Sequence, residues 1–79
     1  MKTYQIQEWT ARNDNECPLY ASAISVKDYG GGYTNEDVKN IVKDKGMKKD
    51  KRFSLFYGSF KEEAYTKENA SVILFAREE

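Results

Sequence analysis

Ser71-Val72-Ile73-Leu74-Phe75-Ala76 decides the fold. In an extended chain successive side chains point to opposite faces, so Val72, Leu74 and Ala76 share one side and Ile73 and Phe75 the other. Both sides are apolar, which is the pattern of a strand shielded from water above and below. Arg52-Phe53-Ser54-Leu55-Phe56-Tyr57-Gly58-Ser59-Phe60 repeats it, with Phe53, Leu55 and Tyr57 opposed to Phe56 and Phe60. A sheet built on these two segments needs cover on both faces.

The chain offers one clear helix as cover. Thr34 can cap with its hydroxyl, Asp37 stands three residues on as the capping-box acid, and Tyr33 and Val38 occupy the staple positions. Glu36 and Asp37 suit the positive end of the helix dipole, Lys43 and Lys45 the negative end. Val38, Ile41 and Val42 make the inward stripe and Gly46 stops it, which predicts a helix over residues 35–45. One face of the sheet is then core. The other must meet a loop, a second subunit or a partner.

Working outward, Thr3 to Ala11 reads as an outer strand, with Tyr4 and Ile6 on the face opposite Trp9. Arg12-Asn13-Asp14-Asn15-Glu16-Cys17-Pro18 collects turn formers, and Pro18 cannot donate to a ladder, so the chain reverses here. Residues 19–29 are expected to return as a second strand in a hairpin, because Tyr20, Ser22, Ile24 and Val26 alternate and Ile24, Ser25 and Val26 are poor helix formers. Gly30-Gly31-Gly32 is expected to end that strand, and Lys61 to Ala70 to be a polar connection between the last two strands. The expected fold is a single α+β domain spanning residues 1–79, a small antiparallel four-stranded sheet with one helix on one face, in the order ββαββ.

Size and composition narrow the function. A chain of 79 residues buries a small core, and aromatics at 14% supply the bulk it needs. There is no histidine, which removes the commonest general base and the usual zinc ligand, and the lone Cys17 can form no internal disulfide. Glu8, Asp14 and Glu16, like Glu62 and Glu63, have no sequence context that builds a catalytic pair. No enzyme activity, metal or cofactor is expected. The glycine run before the helix lacks the Lys-Ser/Thr of a phosphate loop and leads instead into Glu36 and Asp37, which repel phosphate. Asn13-Asp14-Asn15-Glu16 lacks the glycine and downstream glutamate of a calcium loop.

Thirteen basic and thirteen acidic residues balance overall, but not locally. Seven basic residues between Lys39 and Arg52 face only Asp44 and Asp50. Lys43, Lys45, Lys48, Lys49, Lys51 and Arg52, running into Phe53, Phe56 and Tyr57, form the candidate nucleic-acid surface: cations for phosphates, rings for bases. Against it, the stretch lacks the glycine-spaced motif of sheet-type RNA readers, and a solvated helix end carries the same residues. The candidate protein-binding surface is Trp9 with Tyr29, Phe56 and Phe60, since Trp and Tyr dominate interface energetics.

In size, in Lys, Asn, Glu and Tyr content and in lacking catalytic residue types, the chain resembles the small accessory proteins of phages and mobile elements, including inhibitors of host defence nucleases. That resemblance implies a non-enzymatic protein that binds a host protein, such as a nucleic-acid-processing complex. The alternatives are direct nucleic-acid binding through residues 43–52, and a homodimeric structural module. Residues 1–6 contain no apolar run of signal-peptide length and no 18-residue apolar stretch occurs, so no membrane partner and a cytoplasmic location are expected, the host cytoplasm if phage-encoded.

Overall fold

The computed structural model describes residues 2–13, 15–57, 60–68 and 70–79, and the backbone alone at 55–57 and 60. Strands β1 (Tyr4–Ala11) and β2 (Ile24–Tyr33) precede helix α1 (Asn35–Asp44), and β3 (Lys48–Lys49), β4 (Leu55–Tyr57), β5 (Phe60–Thr66) and β6 (Val72–Glu78) follow it. All pairings are antiparallel and the order is β2-β1-β6-β5-β3, with β4 also on β5. Because β3 pairs with Tyr65 and Thr66 and β4 with residues 60–62, the two share one outer position, interrupted between them. The sheet is therefore effectively five-stranded. The α+β class holds and the four-strand count does not.

The additional strand is β5, where the sequence suggested a polar connection. Its charged residues carry poor strand propensity, but each finds an opposite charge: Glu62 lies across from Arg77, Glu63 meets Lys49 of β3 at 2.9 Å, and Lys61 meets Glu63 within β5 at 2.9 Å. The linker at residues 47–51 likewise contains β3, and the apolar stretch 52–60 divides into a turn holding Phe53, β4 and the start of β5. Nor does the glycine run end a strand. It lies inside β2, with Gly30 at φ +84° and Gly32 at φ +81°, and the register against β1 shifts on either side of Ile6. Glycine takes these left-handed conformations without a Cβ clash, so β2 bends and continues. Residues 19–23 lie outside it.

Helix α1 follows its local code. Thr34 Oγ1 accepts from the Asp37 N–H at 3.2 Å, Asp37 Oδ2 accepts from the Thr34 N–H at 2.9 Å, and Gly46 at φ +66° ends the last turn. Val38 and Val42 pack on Ile6, Leu74 and Ala76 of the sheet, with Met47 beside them and Tyr33 and Ile41 at the margin. We predict that Thr34→Ala costs about 1 kcal/mol, the usual worth of such a cap, read as a lower urea midpoint at unchanged m-value. An unchanged midpoint would refute it.

The opposite face carries a second cluster: Phe53, Ala64, Ile73 and Phe75, with Trp9, Cys17 and Ala70 against it. The alternation read in residues 71–76 is thus the division between the two cores. Its second face is covered not by a helix but by the loop between β1 and β2, where Pro18 is buried, and by the turn that carries Phe53. This cover stops short of the whole face, and the uncovered part holds the candidate site.

Candidate functional site: the sheet face away from the helix

Register places the side chains of this face in rows. Val26, Trp9 and Ile73 stand side by side across β2, β1 and β6. The next row is Asp28, Gln7, Phe75 and Ala64, and the one beyond it runs Gln5, Arg77 and Glu62. Trp9 meets Phe75 edge-on, with centroids 5.2 Å apart and planes at 69°, and its Nε1 donates to Gln7 Oε1 at 3.2 Å. Ring edge against ring face is the favoured geometry for the two quadrupoles, and the Gln7 bond satisfies the indole in place.

Where the loop cover ends, Trp9, Phe75 and Leu19 wall a cleft of about 160 Å³ whose remaining lining is Gln5, Gln7, Glu62 and Arg77. Cavities of roughly 150 Å³ accept a benzene-sized group, so the cleft has room for one apolar or aromatic side chain and for little more. Arg77 reaches Glu62 at 3.8 Å across its floor. Apolar walls with amides and an ion pair at the end suit an anchor residue whose backbone takes hydrogen bonds at the rim.

Exposed apolar residues accompany the cleft: Leu19 (37% exposed) in its wall, Tyr20 (84%) next to Leu19 in the chain, and Ile24 (37%) and Val26 (50%) on β2. Ile24 and Val26 stand opposite Ala11 and Trp9, on the cleft side of the sheet. The alternation of Ile24 and Val26 was legible in the sequence. Their exposure was not, because it follows from β2 being an outermost strand.

The predicted aromatic set does not assemble as one surface. Tyr29 lies with the helix-side core, its hydroxyl donating to Glu8 Oε1 at 3.1 Å and its ring facing Lys27 and Lys45 at 5.0 and 5.6 Å. It is on the other side of the sheet from Trp9, because Val26 stands beside Trp9 and alternation along β2 turns Tyr29, three residues on, to the helix face. The side chains of Phe56 and Phe60 lie outside the described residues, while their backbones belong to β4 and β5. Trp9 instead meets Phe75 and Gln7 and shares its cleft with Leu19, Gln5 and Arg77, none of which sequence reading singled out.

The basic segment is also divided. Lys45 pairs with Glu8 at 2.9 Å, Lys49 with Glu63 at 2.9 Å and Arg52 with Asp50 at 2.7 Å, while Lys43, Lys48 and Lys51 are exposed. Half of the candidate phosphate contacts are therefore committed to carboxylates. Those carboxylates respond. Arg52, aided by Thr66, overcomes the cost of desolvation and holds Asp50 down at about 2. Burial alone would push Glu63 up, but Lys61, Lys49 and the Tyr65 hydroxyl together bring it to about 2. Glu8 is likewise lowered, Lys45 and Tyr29 outweighing its burial.

Among the described residues no group of acidic or sulfur side chains is placed to hold a metal ion, and no helix is long and apolar enough to cross a membrane. Comparison with protein-family models, with curated proteins and with solved structures gives no match.

Proposed function

We propose that this protein acts without catalysis, by docking another protein on the sheet face away from the helix. The observation that carries the reading is the coincidence of three exposed apolar residues, Leu19, Ile24 and Val26, with the Trp9–Phe75 cleft on one side of the sheet. Monomeric surfaces scatter their exposed apolar residues, whereas docking surfaces gather them beside a pocket with a polar rim. A partner side chain enters against Trp9 and Phe75, and Gln5 and Gln7 serve its backbone. The resemblance in size and composition to phage and mobile-element inhibitors makes a host protein of nucleic-acid processing the partner class to try first.

Tyr20 provides the test, since at 84% exposure its removal leaves the core intact. In affinity capture from nuclease-treated host lysate, followed by titration of the purified captured protein, Tyr20→Ala is expected to weaken binding about tenfold, the effect of losing a modest interface anchor, with thermal stability unchanged. Equal affinity of wild type and Tyr20→Ala would remove this face from the interface. Loss of every captured protein on nuclease treatment would replace protein binding with nucleic-acid binding.

A further inference from the structure

We infer that the first half of β2 pairs edge to edge with the same segment of a second copy of this chain, antiparallel about a two-fold axis at Ser25. The inference stands apart from the docking reading, because it concerns the strand's free backbone rather than the cleft.

The hydrogen-bond direction of β2 follows from its ends. Arg12 N–H donates to the Ala23 carbonyl at 3.3 Å, and Ala11 N–H turns the other way, to Ser71 on the β6 side at 2.8 Å. Backbone groups alternate along a ladder, so Ser25 and Lys27 face β1, while Ile24, Val26 and Asp28 direct their N–H and C=O groups to the open side. Register is unbroken here, from Gln7 opposite Asp28 to Ala11 opposite Ile24. Among the described residues nothing pairs with this edge, which has the unbroken register of the usual template for adding a strand.

Among the described residues the other free edges are blunted. The second half of β2 bends at Gly30 and Gly32, and the Gly32 N–H is taken by Glu79 Oε1 at 2.7 Å. The far side of the sheet ends in the interrupted β3 and β4, where β3 consists of two lysines. Short strands, lysines and bulges are the standard protections of an edge. Among the described residues only Ile24–Asp28 is left without them, apart from Lys27.

A second copy fits this edge. About Ser25, Ile24 falls opposite Val26 of the other copy, twice, on the face that already exposes both. Ser25 meets its own twin, and Lys27 comes opposite Ala23. No like charges are opposed, and the zero net charge of the chain adds no long-range repulsion. Neighbouring registers do worse: an axis at Lys27 sets that lysine against itself, and one at Val26 sets Ile24 against Asp28. The dimer places two clefts on one continuous sheet.

Ser25 faces β1, so across the axis the two copies of it form a non-hydrogen-bonded pair, with Cα atoms about 4.5 Å apart, inside the range a disulfide spans. In a Cys17→Ala background, Ser25→Cys is therefore expected to oxidise to a covalent dimer on a non-reducing gel, while Lys27→Cys, four residues from its twin, stays mainly monomeric. Sedimentation velocity of the wild type at roughly 100 μM, a concentration suited to micromolar affinities, is expected to show a dimer. Val26→Pro, which removes only an outward N–H, is expected to show a folded monomer. A monomeric wild type, or equal cross-linking of the two cysteine variants, overturns the inference. A monomer that still captures a protein through Tyr20 leaves the docking reading in place.

Discussion

Leu74→Ala is expected to lower the free energy of unfolding by about 3 kcal/mol, the middle of the range for deleting a fully buried leucine. Leu74 has no exposed surface and lies in the central strand β6, between Glu8 of β1 and Tyr65 of β5, beneath Val38 and Val42 of the helix. Removing its isobutyl group forfeits the transfer energy and leaves a void that a sheet hydrogen-bonded on both sides cannot close. A domain of this length has a total stability of roughly 4–12 kcal/mol, so the variant loses between about a quarter and about three quarters of it. Urea unfolding followed by circular dichroism reads the change as a lowered midpoint at constant m-value. Val26→Ala, at an exposed site, serves as the comparison and is expected to cost less than about 0.5 kcal/mol. A loss below about 1 kcal/mol for Leu74→Ala would mean that the helix does not seal this face.

Acid is the second large lever, and its direction follows from the carboxylates. Asp50 and Glu63 are both held at about 2 in the folded protein, against ordinary values of 3.8 and 4.5. A carboxylate whose folded pKa is depressed stabilises the fold fully above its unfolded pKa, and that stability is lost as pH falls toward the folded value. Stability is therefore expected to be flat from neutral pH to about 5 and to fall between about 5 and 2. Arg52, which covers Asp50, is itself 72% exposed, and Lys49 and Lys61 are 46% and 41% exposed, so solvent screens both sites. After that discount each carboxylate contributes roughly 1–2 kcal/mol. Glu63→Gln is expected to flatten about half of the acid slope and to lower stability at pH 7, because Lys49, Lys61 and the Tyr65 hydroxyl lose their common partner. A slope identical to that of the wild type would show that Glu63 titrates normally.

These two effects mark what was readable from residue order. Helix α1 was legible almost to its boundaries, since its cap, its stripe and its stop are local and Thr34, Asp37 and Gly46 act within a few residues of one another. The division of β6 into two faces was equally legible, because alternation is a property of the extended chain itself. Strand β5 was not, since Glu62 and Glu63 become strand residues only when Arg77 and Lys49 arrive from elsewhere in the chain to neutralise them. The same reason hid the pairing of Lys45 with Glu8, which withdrew part of the basic segment from solvent.

Of the candidate site, Trp9 and the side of β1 on which it stands were accessible from spacing, but its company was not. Periodicity places a residue on a face without saying which other strands share that face, and the pairing of Trp9 with Val26 is what left Tyr29 on the helix side. Sequence alone determined an α+β domain with one helix and more apolar sheet than that helix covers, because capping and alternation are short-range. Only the tertiary structure decided that the loop through Cys17 and Pro18 covers part of the second face, leaving the Trp9 cleft and the β2 edge open. Those features depend on strand order and on contacts between distant residues, whose energies appear only once the chain has closed on itself.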